Sequence, residues 1–94
     1  MSYKPNIKRY EKFHYNRCGN SGLQLPPITL GLWHNFGNKY MSTESKKLIF
    51  KAFDRGVTHF DLANNYGPPY GSAETNFGKL ISSDLRKYRD ELVI

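Results

Sequence analysis

The chain has 94 residues, of which 14 are lysine or arginine and 8 are acidic, so its formal net charge is +6. This length suits one small domain, and a hydrophobic content of 38% with 15% aromatic residues excludes a disordered chain. No apolar stretch approaches the roughly 20 residues of a membrane helix. The N-terminus lacks the apolar core of a secretory signal, so we expect a cytoplasmic protein without a membrane partner.

The positive charge is concentrated near the N-terminus, where five basic residues against Glu11 give residues 1–17 a net charge of +4. Residues 1–14 are predicted to form a basic irregular arm that extends into solvent. No finger, helix-turn-helix or RNA-recognition pattern accompanies the arm, so we expect no nucleic-acid partner. The single cysteine, Cys18, excludes an internal disulfide, and the three histidines lack the spacing of metal ligands, so no metal is expected.

The first two predicted elements are a hairpin and a strand. Residues 15–25 contain Gly-Asn-Ser-Gly between two short segments, a pattern typical of a β-hairpin with a tight turn, and two prolines then end the pairing. Residues 28–33, ITLGLW, are an apolar run with β-branched and aromatic members. Such a run predicts a strand that is buried on both faces, as in a parallel sheet.

Two amphipathic helices alternate with two further strands. A helix is predicted over residues 43–55, a strand over 57–61, a helix over 72–83 and a short strand over 92–94. The predicted apolar stripe of the first helix comprises Leu48, Ile49, Ala52 and Phe53. Ser42 or Thr43 is expected to cap the first helix and Ser72 the second. Residues 86–91 are interpreted as a charged connector.

Strands that alternate with amphipathic helices at about thirty residues per unit indicate βαβ units and a parallel sheet, so the predicted fold class is α/β. The last strand has no helix after it to cover the sheet, and a complete (β/α)8 barrel takes roughly 250 residues. We therefore expect the beginning of a larger fold. The alternative is a complete three-stranded α/β domain, but nothing in the sequence protects its open edges.

Asp61 and Tyr66, in the stretch FDLANNYGPPYGSAE, are the main candidate site residues. Ligands of parallel α/β sheets bind outside the carboxyl ends of the strands, and Asp61 lies where a predicted strand ends. Trp33 and His34 follow the preceding parallel strand and are expected at the same edge. On position alone, Asp61 also suits a helix-capping acid and Tyr66 an aromatic anchor of the loop, so the pair by itself is a weak signal.

The sequence around this pair resembles the signature of the aldo-keto reductases. The segment GVTHFDLANNYGPPYGSAETNFGKLI, residues 56–81, matches that signature at Gly56, Asp61, Ala63, Tyr66, Gly67, Glu74 and Gly78. The GLW at residues 31–33 resembles the end of the family's first barrel strand, and residues 15–25 resemble the hairpin that plugs the bottom of its barrel. The GPPYGSAE loop is most similar to the branch with glyceraldehyde 3-phosphate reductases and potassium-channel β subunits.

The resemblance implies a fold, an activity and a cofactor. Residues 15–94 would be the N-terminal portion of a (β/α)8 barrel that reduces a small carbonyl substrate with NADPH, such as glyceraldehyde 3-phosphate or methylglyoxal. Tyr66 would be the general acid, and Asp61 would pair with a lysine whose positive charge lowers the pKa of the phenol. Leu32, Trp33, Asp61 and Tyr66 would contact the cofactor, and Trp33 would also line the substrate pocket.

Several members of the family's catalytic group have no match in this sequence. These are the lysine after the third strand, the histidine of the fourth strand and the later loops that hold the cofactor phosphates; His34 and His59 do not match that histidine. Because such residues act as a unit, the 94-residue chain alone is expected to be inactive. The alternative is a non-catalytic interaction or regulatory module that resembles a channel β subunit.

Overall fold

The computed structural model describes residues 3–94. Its elements in chain order are β1 (Asn16–Arg17), β2 (Gln24–Leu25), β3 (Leu30–Gly31), α1 (Thr43–Asp54), β4 (Phe60–Asp61), α2 (Ser72–Ile81) and a final 3-10 helix (Arg86–Glu91). The fold is mixed α/β, as the alternation of strands and helices predicts. No helix in this part of the chain is long and apolar enough to cross a membrane.

The strands form two small sheets. β1 and β2 pair in antiparallel fashion, and β3 and β4 pair in parallel, with Leu30 opposite Phe60. On the other side of β4, the N–H of Phe60 donates to the carbonyl of Val93 at 3.0 Å, and the N–H of Val93 donates to the carbonyl of Thr58 at 2.9 Å. Alternate residues of a strand bond to opposite neighbours, so β4 lies between β3 and the segment around Val93.

The strands are shorter than the sequence predicts. Of residues 28–33 only Leu30–Gly31 pair as a strand. The strand predicted over residues 92–94 is reduced to an isolated parallel bridge between His59 and Val93. Ile28 is 56% exposed and Trp33 is 58% exposed, so the expectation of burial on both faces is wrong at both ends of this run. A strand extends only where a neighbour supplies ladder hydrogen bonds, and the paired residues of β4 are few.

Helix α1 follows local sequence rules. The Ser42 hydroxyl accepts a hydrogen bond from the N–H of Ser45 at 3.1 Å and caps the helix. Ile49 and Phe53 are fully buried, whereas Leu48 is 55% exposed, contrary to its predicted place on the apolar stripe. Leu48 is displaced by about 100° around the helix from Ile49, which places it beside the buried line and not on it.

Gly56 ends α1 with a φ of +99°, a left-handed conformation that favours glycine. A Cβ at this position would lie 2.6 Å from the carbonyl oxygen of Arg9 and 2.6 Å from the hydroxyl of Tyr15. The Tyr15 hydroxyl donates to the carbonyl of Gly56 itself. The glycine therefore ends the helix, and its lack of a side chain allows the backbone of Arg9 and the hydroxyl of Tyr15 to approach closely.

Helix α2 begins without a side-chain cap, because Gly71 is the N-cap residue with a φ of +80°. Ser72, the expected cap, is instead the first helical residue, and its buried hydroxyl has no partner among residues 3–94. The helix ends at Ile81, two residues earlier than predicted. The hydroxyl of Ser83 then donates to the carbonyl of Lys79 at 2.5 Å. The charged connector beyond it is the 3-10 helix.

Most of residues 3–14 are exposed, but the N-terminal arm is held against the domain at Tyr3 and Arg9 and does not extend freely into solvent. The ring of Tyr3 stacks on Phe50, with centroids 4.0 Å apart, and its hydroxyl donates to Asp54 at 2.5 Å. The guanidinium of Arg9 lies 2.7 Å from the carboxylate of Glu91 and 5.0 Å from the ring centroid of Phe53. Aromatic packing and charge pairing thus join the arm to α1 and the 3-10 helix.

Candidate active site

Asp61 and Tyr66 meet at the carboxyl edge of the parallel strands. The hydroxyl of Tyr66 donates a hydrogen bond to Oδ2 of Asp61 at 2.8 Å. Asp61 is the last residue of β4, and a turn closed by a 3.2 Å hydrogen bond from the N–H of Tyr66 to the carbonyl of Ala63 brings the phenol back to it. The carbonyl of Tyr66 accepts the N–H of Ala73 at 3.1 Å, which ties the loop to α2.

This pair holds its proton on the phenol. The hydrogen bond to Asp61, followed by desolvation and the negative charge of the carboxylate, raises the pKa of Tyr66 above its ordinary value of 10.0. The ion pairs formed within residues 3–94 are Arg9 with Glu91 and Lys47 with Glu44, so Asp61 has no cationic partner in this part of the chain. A phenol that is to release a proton near neutrality needs the opposite environment, a neighbouring positive charge.

The substitution Asp61→Asn is expected to lower the pKa of Tyr66 towards its ordinary value, because it removes both the charged acceptor and the negative potential. The phenolate then forms at lower pH than in the unmodified chain. The measurement is a pH titration of the Tyr66 ring resonances in the 94-residue chain. Asp90→Asn, an equal charge change at an exposed position, should leave that titration unchanged; an equal shift in both variants would contradict the assigned cause.

Trp33 provides an exposed aromatic wall beside the phenol. Its indole is 58% exposed, and its ring centroid lies 6.5 Å from that of Tyr66 with an interplanar angle of 31°. The ring of His34 packs on the same indole at 4.0 Å. His34 has no predicted role in the sequence, although its position next to Trp33 makes this contact foreseeable.

Leu32 contributes its backbone to the site. Its side chain is fully buried, and its N–H donates to the carbonyl of Asp61 at 3.0 Å. This bond aligns the end of β3 with the end of β4. The structure thus brings together all four predicted site residues, Leu32, Trp33, Asp61 and Tyr66, at one edge of the sheet. No group of three histidine, cysteine or acidic side chains suited to a metal ion occurs in residues 3–94.

The residues that join the two loops of the site are not among those predicted from the sequence. Asn38, after β3, donates its N–H to the carbonyl of Pro68, in the loop of Tyr66, at 2.7 Å. Gly37 and the side chain of Asn76 lie at the same junction. The available signal was Asn76 itself, a polar residue at helical spacing from the apolar Ala73, Phe77 and Leu80 of α2.

Comparison with known proteins places this site in a family. A model of the "Aldo/keto reductase family" matches residues 27–94, which include Leu32, Trp33, Asp61 and Tyr66. The chain belongs to the aldo/keto reductase family. The match confirms the resemblance at residues 56–81, and the hairpin and the N-terminal arm precede the matched region of this aldo/keto reductase.

Individual known proteins are similar to this aldo/keto reductase chain to different degrees. It is 55% identical, over 94 residues and 100% of its length, to an L-glyceraldehyde 3-phosphate reductase of Escherichia coli K12. It is 35% identical over 80 residues (85% of the chain) to a probable voltage-gated potassium channel subunit beta of Arabidopsis thaliana. A 6-dehydroglucose reductase of Novosphingobium aromaticivorans is 28% identical over 74 residues, 74% of the chain. The chain spans about a quarter of the length of these relatives, between 24% and 27%.

Proposed function

We propose that this chain forms the first part of a (β/α)8-barrel reductase that converts aldehydes or ketones to alcohols with NADPH. The observation that carries the proposal is the Tyr66 hydroxyl, held 2.8 Å from Asp61 at the carboxyl edge of the strands. Identity of 55% with an L-glyceraldehyde 3-phosphate reductase supports a substrate of that type or a methylglyoxal-like carbonyl. A cytoplasmic location stays a prediction.

The residues at this edge fit one end of a nicotinamide cofactor. The exposed indole of Trp33 offers a flat apolar surface for the nicotinamide ring. Beside it, Asp61 and Tyr66 supply polar atoms, and the backbone carbonyl of Leu32 is a further hydrogen-bond acceptor at the same strand end. NADPH, when bound, would supply the hydride, which carries two electrons and one hydrogen to the carbonyl carbon, and would itself be oxidised to NADP⁺. Trp33 then serves to orient the reacting groups and to exclude water from one side of the pocket.

Tyr66 supplies the proton. As negative charge develops on the carbonyl oxygen, the phenol donates its hydroxyl proton to that oxygen, and an alcohol results. A carboxylate alone opposes this transfer because it raises the pKa of Tyr66. Asp61 assists only if it holds a cation against the phenol, which lowers that pKa.

The required cation is proposed to come from outside residues 3–94. Lys79 lies on α2, and its ammonium is 5.2 Å from the ring centroid of Tyr40. Lys87 belongs to the 3-10 helix that precedes the segment around Val93. Neither forms an ion pair with Asp61 among the described residues. We accordingly expect the 94-residue chain alone to show no carbonyl reduction.

The proposal is tested with a chimera in which this chain replaces the aligned segment of the E. coli relative, here called the reductase chimera. The two segments are 55% identical, so we expect this chain to pack against the rest of the E. coli relative as the replaced segment does. We expect the reductase chimera to oxidise NADPH in the presence of L-glyceraldehyde 3-phosphate or methylglyoxal. The measurement is the loss of NADPH absorbance, with the unmodified relative as the positive control.

A folded chimera that binds NADPH without reducing any carbonyl would contradict the proposal. That outcome would instead support the second candidate function, a non-catalytic regulatory module. The 35% identity with a probable potassium channel subunit beta is the observation that favours this second candidate. Circular dichroism and the unfolding midpoint of the chimera distinguish both outcomes from a failure to fold.

A further inference from the structure

Asn76 is a buried polar residue at the contact between α2 and the loop that follows β3. Only 2% of its surface is exposed. Its Nδ2 lies 3.2 Å from the carbonyl oxygen of Phe36, 2.8 Å from that of Gly37 and 3.0 Å from that of Asn38. Carbonyl oxygens only accept hydrogen bonds, so the amide must present its NH2 group to them, and one of its two N–H donors is shared between two of the three carbonyls.

The same loop is held from its other side by the loop of Tyr66. The N–H of Asn38 donates to the carbonyl of Pro68 at 2.7 Å. A Cβ on Gly37 would lie 2.5 Å from that carbonyl oxygen and 2.7 Å from the hydroxyl oxygen of Ser72. The two loops therefore touch through backbone atoms, with no room for a side chain between them.

Trp33 lies between two anchored points of the chain. Before it, the N–H of Leu32 donates to the carbonyl of Asp61 at 3.0 Å. After it, the hydroxyl of Ser45 donates to the carbonyl of Asn35, and Asn76 holds the next three carbonyls. Only Trp33 and His34 separate these anchors, and both are exposed. The direction of the indole therefore depends on where the following loop is held.

We propose that Asn76 is a positioning residue that holds the loop after β3 against the loop of Tyr66 and so sets the place of the Trp33 indole beside the phenol. The inference rests on the proposed function for its catalytic meaning, because the gap between indole and phenol is where a carbonyl would bind. A residue with a merely structural role would stabilise α2 without affecting Trp33.

The first test compares Asn76→Asp with Asn20→Asp in the 94-residue chain. The substitution at Asn76 keeps the shape of the side chain and replaces the donating NH2 group by an accepting oxygen, and Asn20, in the exposed hairpin turn, gives the same charge change. We expect about tenfold faster hydrogen exchange of the Asn38 amide in Asn76→Asp. Trp33 is the only tryptophan, and the polarisation of its fluorescence should fall in the same variant.

The second test separates the loops without changing Asn76. Gly37→Ala introduces a methyl group where the backbone of the neighbouring loop stands, whereas a Cβ on Gly22 meets nothing within 4 Å. Gly37→Ala should therefore reproduce the faster Asn38 exchange and the altered Trp33 fluorescence, and Gly22→Ala should not. This second variant keeps the proposal testable if Asn76→Asp fails to fold.

General destabilisation is controlled by Phe77→Leu, which weakens the buried contact between Phe77 and Phe60, whose ring centroids are 5.2 Å apart. The proposal is overturned if Phe77→Leu alters Trp33 and Asn38 as much as Asn76→Asp does at equal loss of stability. It is also overturned if both signals stay unchanged in Asn76→Asp and in Gly37→Ala. Neither measurement requires catalysis, so a failure of the proposed reductase function would leave this test intact.

In the reductase chimera, Asn76→Asp should lower kcat/KM about tenfold with the folded fraction unchanged. The reason is that a displaced Trp33 indole no longer holds the carbonyl substrate in the productive orientation. Asn20→Asp serves again as the control. Equal kcat/KM in the two variants, in a chimera that reduces carbonyls, would overturn the positioning role and leave the reductase function standing.

Discussion

Replacing Tyr66 by phenylalanine is expected to lower carbonyl reduction by the reductase chimera about 10²–10⁴-fold, the usual contribution of a general acid. The ring is partly buried against the core, so phenylalanine retains that packing and loses only the hydroxyl. The proton for the developing alkoxide must then come from water. Steady-state kinetics should show the loss mainly in kcat, because the hydroxyl acts in the transition state.

Tyr70→Phe is the matched control for this substitution. Tyr70 belongs to the same loop and is 77% exposed, so removal of its hydroxyl should change kcat less than about twofold, because that hydroxyl is not the proposed proton donor. Similar activities of the two variants would refute the assignment of Tyr66 as the acid. A loss caused by misfolding would appear as a changed circular dichroism spectrum.

Replacing Phe53 by alanine is expected to cost about 3–5 kcal/mol of the free energy of unfolding of the 94-residue chain. Phe53 is fully buried on α1, its ring lies 5.8 Å from that of Tyr88, and the Arg9 guanidinium stands 5.0 Å from its centroid. Truncation leaves a cavity where α1, the arm and the 3-10 helix meet. Small domains are stable by only about 5–15 kcal/mol, so a substantial part of the stability should be lost.

Urea unfolding followed by circular dichroism measures this effect. Leu48→Ala, on the same helix at a 55% exposed position, is the control and should change the free energy of unfolding by about 0.5 kcal/mol or less. A larger effect for Leu48 than for Phe53 would contradict the packing of α1. A loss at Leu48 as large as that at Phe53 would instead support the predicted apolar stripe, which contains both residues.

The limits of α1 show how far local rules reach. Ser42 caps the helix, and the helix predicted to end at residue 55 is followed by Gly56 with a φ of +99°. Both limits can be predicted from the sequence because they depend on the conformation of adjacent residues. The start of α2 is different. Ser72 has the side chain of a cap, yet Gly71 takes that place, because the loop returns to the helix through the bond from Ala73 to Tyr66.

The N-terminal arm illustrates what composition does not predict. Its positive charge and lack of periodicity suggest a solvated extension, but Tyr3 stacks on Phe50, and Arg9 pairs with Glu91 across 82 positions of the sequence. Neither partner is identifiable from the arm itself. Burial of the aromatic rings and of the stem of the arginine against α1 offsets the entropy of ordering the segment.

By itself, the sequence determined the family, the alternation of strands and helices, and the carboxylate and phenol that lie five positions apart. These features depend on short-range patterns and on a motif that is continuous in the chain. Only the tertiary structure decided the exposure of Leu48, the packing of the arm and the junction that Asn76 makes with residues 38 to 40 positions away. The physical reason is that such hydrogen bonds and contacts exist only after distant segments have been brought together, and no local pattern encodes their partners.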